Sequence, residues 1–316
     1  DDLSRLFVTV FLLTVFTVGF FCYKQASSTE LSAAYIYAGS AISVVLAGDL
    51  ISLFVFWEIM ALASTLLIWS SENKKSYQAG MRYISIHLLG GVILMCGIAG
   101  YAYETHSIAF THIQLNSLST WLILCGFLLN AGAPPLTAWL ADAYPEASFS
   151  GMVFLSAFTT KTAVYVLLRG FPGTDLLVYI GLFMIFYGII YALLENDMRR
   201  ILAYSIINQV GFMVCGIGIG TAMALNGTAA HAFTHIIYKA LLLMSAGSVL
   251  YMTGKRKCTD LGGLVQSMPI TAVCGIIGAL AISSFPFTSG FISKSMITQA
   301  SADEHLLWIW LLLQAA

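Results

Sequence analysis

The chain has 316 residues, 59% hydrophobic and only 9% charged. Soluble domains carry about 25% charged residues, so this composition excludes a water-facing globular surface. A net charge of −1 excludes the basic footprint of a nucleic-acid binder, and six cysteines without CxxC spacing exclude a cysteine-held metal or redox centre.

At ~20 apolar residues per transmembrane helix, the chain has room for roughly ten or eleven spans. Hydropathy places them at 3–23, 31–48, 50–70, 78–103, 117–141, 149–170, 174–194, 198–219, 226–252 and 268–300, with another starting near His305. The first apolar run is as long as a span, so no signal peptide is expected. The chain lacks an initiator Met and stops within the run from Leu306 to Leu313, as a fragment without either end would. The cysteines, most of them inside apolar runs, read as small core residues.

Two spans are interrupted. The fifth contains Ala133-Pro134-Pro135, and the tenth contains Ser283-Ser284-Phe285-Pro286-Phe287. Proline removes a backbone donor and clashes with the preceding turn, so both helices should break within the membrane. Broken backbone at that depth persists only inside protein or along a wet cavity. The breaks lie five spans apart, and an odd repeat length inverts the second copy. Paired interruptions of this kind point to a transporter's site. Polar residues flank both, Asn130 in one and Lys294 in the other. The expected fold is therefore all-α, a polytopic transmembrane bundle with two inverted five-helix repeats, each with a Pro-broken helix.

Loop charges give the orientation. Lys24, then Lys74, Lys75 and Arg82, then Arg199 and Arg200, then Lys255, Arg256 and Lys257 fall in alternate loops. The other set holds Arg169, with Arg5 at the start of the first span. This asymmetry puts the first set in the cytoplasm.

Ionisable residues inside spans are costly and mark transport pathways. Glu58 lies within Phe56-Trp57-Glu58-Ile59. Lys161 sits among Thr159, Thr160 and Thr162, too central to reach an interface easily. His231, His235 and Lys239 recur at i, i+4 and i+8, each about 40° round the helix and about 6 Å further along it. Histidine titrates near neutral pH, as a relay requires. Histidines at i and i+4 can also bind zinc, but the glutamate of an HExxH site is missing, so no metal is expected. Lys294 follows the second break, where a half-helix points free N–H groups into the membrane. His87 reads as a core histidine and Arg82 as an interface anchor. No haem motif, nucleotide loop or nucleophile–base pair is present. The chain should carry no cofactor and no catalytic site of its own.

Several of these stretches together resemble one family. They are Phe56-Trp57-Glu58, Ala133-Pro134-Pro135 through Trp139, Asp142 and Pro145, then Asp197 through Ser205, His231 through Ser248, and Gly290 through Lys294. They resemble the antiporter-like membrane subunits shared by respiratory complex I and Mrp-type cation/proton antiporters. Asp142–Ala147 and Phe158–Thr162 look most like the Mrp-type sodium/proton antiporter branch.

The resemblance implies one multi-pass subunit of a hetero-oligomeric complex in the bacterial inner membrane, moving protons against a monovalent cation such as sodium. Residues 1–30 would match the family's third helix and its loop, 31–172 the first inverted repeat, and 173–316 the second, truncated at its last helix. Glu58 matches the family's essential glutamate, Lys161 its central basic residue, His231, His235 and Lys239 the connecting relay, and Lys294 the terminal lysine. One departure stands out. The first broken helix of the family usually carries a lysine that pairs with the glutamate, and here Asn130 replaces it. Either Lys161 takes over as the partner of Glu58, or the first half-channel works differently or not at all. Two other readings remain open: a proton-pumping subunit of a quinone oxidoreductase or membrane-bound hydrogenase, and a structural subunit with an inactive pathway.

Overall fold

A computed structural model describes residues 1–316. The helices in chain order are α1 (Asp2–Cys22), α2 (Ser28–Leu46), α3 (Leu50–Trp69), α4 (Lys74–Thr105), α5 (Leu118–Ala131), α6 (Trp139–Ala143), α7 (Gly151–Ala157) and α8 (Thr159–Gly170). They continue as α9 (Asp175–Leu194), α10 (Met198–Ile219), α11 (Ala222–Thr253), a short α12 (Leu264–Ser267), α13 (Pro269–Ile282), α14 (Ser289–Asp303) and α15 (Leu307–Ala315). No β-sheet forms; strand contact is limited to two isolated bridges between loops. Taking α7 and α8 as one segment, eight helices are long and apolar enough to cross a membrane, and α5 and α13 are shorter apolar helices. The protein is a multi-pass α-helical membrane protein.

Polar caps delimit the apolar runs. Asp49 accepts from the amides of Ile51 and Ser52 at the start of α3, and Asp197 accepts from Arg199 and Arg200 at the start of α10. Asn73 with Ser76, and Ser117 with Thr120, form capping boxes at the starts of α4 and α5. These side chains satisfy amides that a helix start leaves free. The outer surface is apolar, with Phe16, Phe20, Leu193 and Ile270 exposed to lipid. Cys96 and Cys125 also lie on that surface, so the core expectation fails for them. An apolar run that crosses a bilayer has a lipid-facing side as well as a packed one, and composition does not separate the two.

The expected breaks both occur. The first separates α5 from α6 and the second separates α13 from α14. A third was not expected. The span at 149–170 stops at Ala157 and restarts at Thr159, without proline or glycine at the gap. This span is buried apart from its two ends and forms the centre of the bundle, with α8 packed against α2, α5, α10 and α11.

The loop charges meet at the membrane ends. Arg82 grips Asp142 through two bonds of 2.7 and 2.8 Å, and Arg256 reaches Asp197 at 2.8 Å and Glu146 at 3.4 Å. Arg169 meets Asp1 at the opposite end, at 2.9 Å. Arg199, counted among the loop charges, is instead buried. It donates to the carbonyls of Ala147 and Ser148 at 2.9 and 2.7 Å and so ties α10 to the segment before α7.

The α9–α10 pair depends on small residues. A Cβ at Gly188 would lie 2.6 Å from the Asn208 amide nitrogen and 2.8 Å from the Tyr204 carbonyl oxygen, so the two backbones touch there. Without a hydrophobic force between helices in lipid, such close backbone packing supplies much of their association. Gly188→Val should force the helices apart at a cost of roughly 1–3 kcal/mol, read as a lower thermal midpoint of the protein in detergent. An unchanged midpoint would show that the contact yields freely.

Candidate functional site

At the first break, Gly132 takes a positive φ of 78° and ends α5. Pro134 and Pro135 follow and exclude helix until Trp139 opens α6. The Trp139 indole donates to the Leu129 carbonyl at 3.1 Å, a second donor beside the Gly132 amide, and so ties α6 back to the end of α5. Asn130, one residue on, is buried with both amide atoms unpaired.

Glu58 and Asn130 flank the same pair of glycines on α4. A Cβ at Gly91 would overlap the Glu58 carboxylate, and one at Gly90 would lie 4.0 Å from Asn130 Oδ1. Glycine at 91 thus makes the room that the carboxylate occupies, and Glu58 Oε1 has no hydrogen-bond partner. Lys161 does not serve as that partner. Its ammonium donates to the Ser156 carbonyl at 2.8 Å and the Thr160 hydroxyl at 3.1 Å, with no bond to Glu58. The reason lies in the third break, which frees the Ser156 carbonyl beside the ammonium.

The second break shapes the other end of the site. Ser284 and Phe287 adopt positive φ, and Pro286 lies between them. A Cβ at Gly290 would collide with the Ala281 carbonyl, so only glycine lets α14 start this close to the end of α13. A cavity of about 630 Å³ opens beside it, lined by Asn208, Gln209, Ser283, Ser284, Lys294 and Gln299 among others. The Lys294 ammonium lies 4.6 Å from the centre of the Phe212 ring, a cation–π contact.

Between the breaks, α11 presents His231, His235 and Lys239 inward, each with no exposed surface. The Lys239 ammonium donates to the Ser205 hydroxyl. His235 has no hydrogen-bond partner at either ring nitrogen; its ring centre is 6.1 Å from that of His231 and 5.2 Å from that of Tyr238. Lys161, Lys239, Lys294 and His231 surround His235, which makes it the hub of the cluster. The fold thus gathers Lys161, His231, His235, Lys239 and Lys294, while Glu58 stands apart against α4.

His231 is the best-connected member. Its Nε2 lies 3.1 Å from Gln209 Oε1, which also accepts from the Tyr238 hydroxyl at 3.2 Å. An amide oxygen only accepts, so Nε2 carries the hydrogen. Nδ1 is then free to accept from the Ser293 hydroxyl at 2.8 Å. That hydroxyl also lies 3.0 Å from the Ser289 carbonyl. If His231 gains a proton at Nδ1, Ser293 can turn its hydrogen to the backbone and accept instead. The protonation of α11 is thereby coupled to α14, one residue before Lys294.

Asn208 and Gln209 escaped the sequence reading, though a pair of amides inside an apolar span was a visible signal. His87 is buried as expected, with Nδ1 2.9 Å from the Tyr83 carbonyl and the ring stacked on Tyr83, but its Nε2 is unpartnered.

The model of the NADH:quinone oxidoreductase/Mrp antiporter transmembrane family matches residues 47–316. The chain belongs to this family. It is 31% identical over 337 residues to a Na(+)/H(+) antiporter subunit of Alkalihalophilus pseudofirmus, across 96% of this chain and 68% of that one. It is 28% identical over 347 residues to an F(420)H(2) dehydrogenase subunit of Methanosarcina mazei, across 95% of this chain and 52% of the relative. Among solved structures, the Mrp complex from Dietzia sp. DQ12-45-1b contains a chain that superposes with a TM-score of 0.93 at 25% identity. That superposition covers 99% of this chain and 63% of the other. This family member therefore spans between half and about two thirds of the length of these relatives.

Gln209→Leu would strip the acceptor from both His231 and Tyr238. Each orphaned buried group costs about 1–3 kcal/mol, so thermal unfolding in detergent should begin several degrees lower. Retention of the wild-type midpoint would mean that water or another side chain replaces the amide.

Proposed function

We propose that the chain is a proton-translocating subunit of a multi-subunit monovalent cation/proton antiporter in a bacterial inner membrane. Protons pass along Lys161, Lys239, His235, His231 and Lys294, with Glu58 serving the first half. Residues 31–172 and 173–316 form the two inverted halves, and other membrane subunits complete the complex.

The observation that carries this reading is the absence of counter-ions. All six ion pairs of the protein sit at its ends, and none includes Lys161, Lys239 or Lys294. Burying unpaired ammonium groups in a low-dielectric interior costs several kcal/mol each, so packing alone would favour apolar residues there. Groups that can take up and release a proton make the arrangement tolerable and useful. Each is met by a hydroxyl that can accept or pass on a proton: Ser205 at Lys239, Thr160 at Lys161, and Ser293 at His231 beside Lys294. The similarity to antiporter subunits supports cation exchange as the energy source. The similarity to a dehydrogenase subunit leaves redox-driven pumping as the second reading, with the same proton path.

In membrane vesicles from an antiporter-deficient bacterium expressing the complete operon, sodium should reverse the quenching of a pH-sensitive dye. Lys239→Ala should abolish that response. Survival of the response would remove Lys239 from the path and favour a structural subunit, whereas no response from the intact operon would favour the redox-driven reading. Asn130→Lys supplies the cation usual at the first break, so it should alter both the transport rate and the carboxyl infrared band of Glu58. If both stay unchanged, the departure at Asn130 has no bearing on transport.

A further inference from the structure

The third helix break has no cause in its own sequence, since Ser156-Ala157-Phe158-Thr159 contains neither proline nor glycine. Sharp interruptions without either residue arise where a side chain or water enters the i to i−4 ladder. Here the intruder is the Tyr37 hydroxyl, from α2. It accepts from the Thr159 amide at 2.9 Å and lies 3.4 Å from the Leu155 carbonyl oxygen, to which it donates. Those are the two groups that an unbroken α-helix would join to each other. The Thr159 hydroxyl completes the wedge at 2.6 Å and can donate back to Tyr37. Every hydrogen is then used once.

The consequence falls on the next rung. In a continuous helix the Ser156 carbonyl would accept from the Thr160 amide; in the opened helix it accepts from the Lys161 ammonium at 2.8 Å. Tyr37 is fully buried, and its ring is braced edge-on by Phe158, the gap residue, at 5.2 Å. A tyrosine held this firmly fixes the opening rather than following it. The titratable groups facing Lys161 come from α11: Lys239, His235 and His231, all of them basic, and no carboxylate pairs with it. The freed carbonyl is therefore the strongest attractive partner that the ammonium has.

We propose that Tyr37 is a positioning residue for Lys161: its hydroxyl replaces one backbone hydrogen bond of the central span, and the carbonyl thereby released holds the lysine ammonium at the junction with α11. The inference rests on the proton-path reading for its functional meaning, but its geometric core does not.

The test uses the full-length chain in its complete complex, as wild type, Tyr37→Phe, and Tyr165→Phe. Tyr165 is a buried tyrosine of the central span whose hydroxyl bonds Val45 and Arg169, away from the gap. In the Tyr37→Phe complex, cryo-electron microscopy should find the helix continuous through Phe158 and the Lys161 ammonium off the Ser156 carbonyl. Sodium-driven proton movement should fall roughly tenfold, within the range that a misplaced reacting group costs, and its pH profile should shift. Tyr165→Phe should leave the gap intact and the pH profile in place. If Tyr37→Phe does not assemble, Thr159→Val weakens the same wedge from the other side and should partly close the gap. A gap and a Lys161–Ser156 bond that persist unchanged in the variant would overturn the proposal. A closed gap in a complex whose wild type moves no cation would leave the positioning role standing and remove the transport reading instead.

Discussion

The backbone groups released near Gly132, Phe158 and Ser283 have no water to turn to in hydrocarbon, so each must find a partner inside the protein or beside a polar cavity. The partners found are specific. The Trp139 indole joins the Gly132 amide on the Leu129 carbonyl at the first gap, the Tyr37 hydroxyl and the Lys161 ammonium take Leu155 and Ser156 at the gap by Phe158, and the polar cavity beside Lys294 adjoins the gap by Ser283. Each opening therefore draws a polar side chain into the membrane interior and holds it there. The candidate path follows from the places where the helices fail.

The same constraint explains the uneven character of the site. Lys161, Lys239 and His231 have partners that are neutral oxygens, which can hold a charge without neutralising it. His235 has none, and it stands among four cationic or basic neighbours. A ring without fixed bonds can turn, and one surrounded by basic groups responds to any proton gained or lost among them. Glu58 lies outside this group, resting against Gly91 with an unpaired oxygen, while Asn130 offers an amide where the resemblance implies a lysine. Glu58 is thus set apart from the basic groups of the centre.

Elsewhere the packing is simpler. Glycines let α9 and α10 meet backbone to backbone, and buried Arg199 ties α10 to the segment preceding the central span. The surface pairs at the two ends, such as Arg82 with Asp142, are half exposed and contribute little energy.

Much of this was legible in the linear chain. The all-α membrane class followed from 9% charged residues, and the span positions followed from hydropathy. Two of the three breaks followed from Pro134, Pro135 and Pro286, because proline acts on its own helix. The inward face of α11 followed from the spacing of His231, His235 and Lys239, because helical periodicity is local. What lay beyond reach involved groups distant in sequence. The break at Phe158 is made by Tyr37, more than a hundred residues earlier. The partner of Glu58 could be guessed as Lys161, yet the guess fails because a carbonyl freed by that break captures the ammonium first. Arg199 looked like a loop charge until the carbonyls of Ala147 and Ser148 were folded against it. Composition and local periodicity determine which segments enter the membrane and which of their faces are polar. Only tertiary contact decides which backbone groups are left open, and so where each buried charge comes to rest.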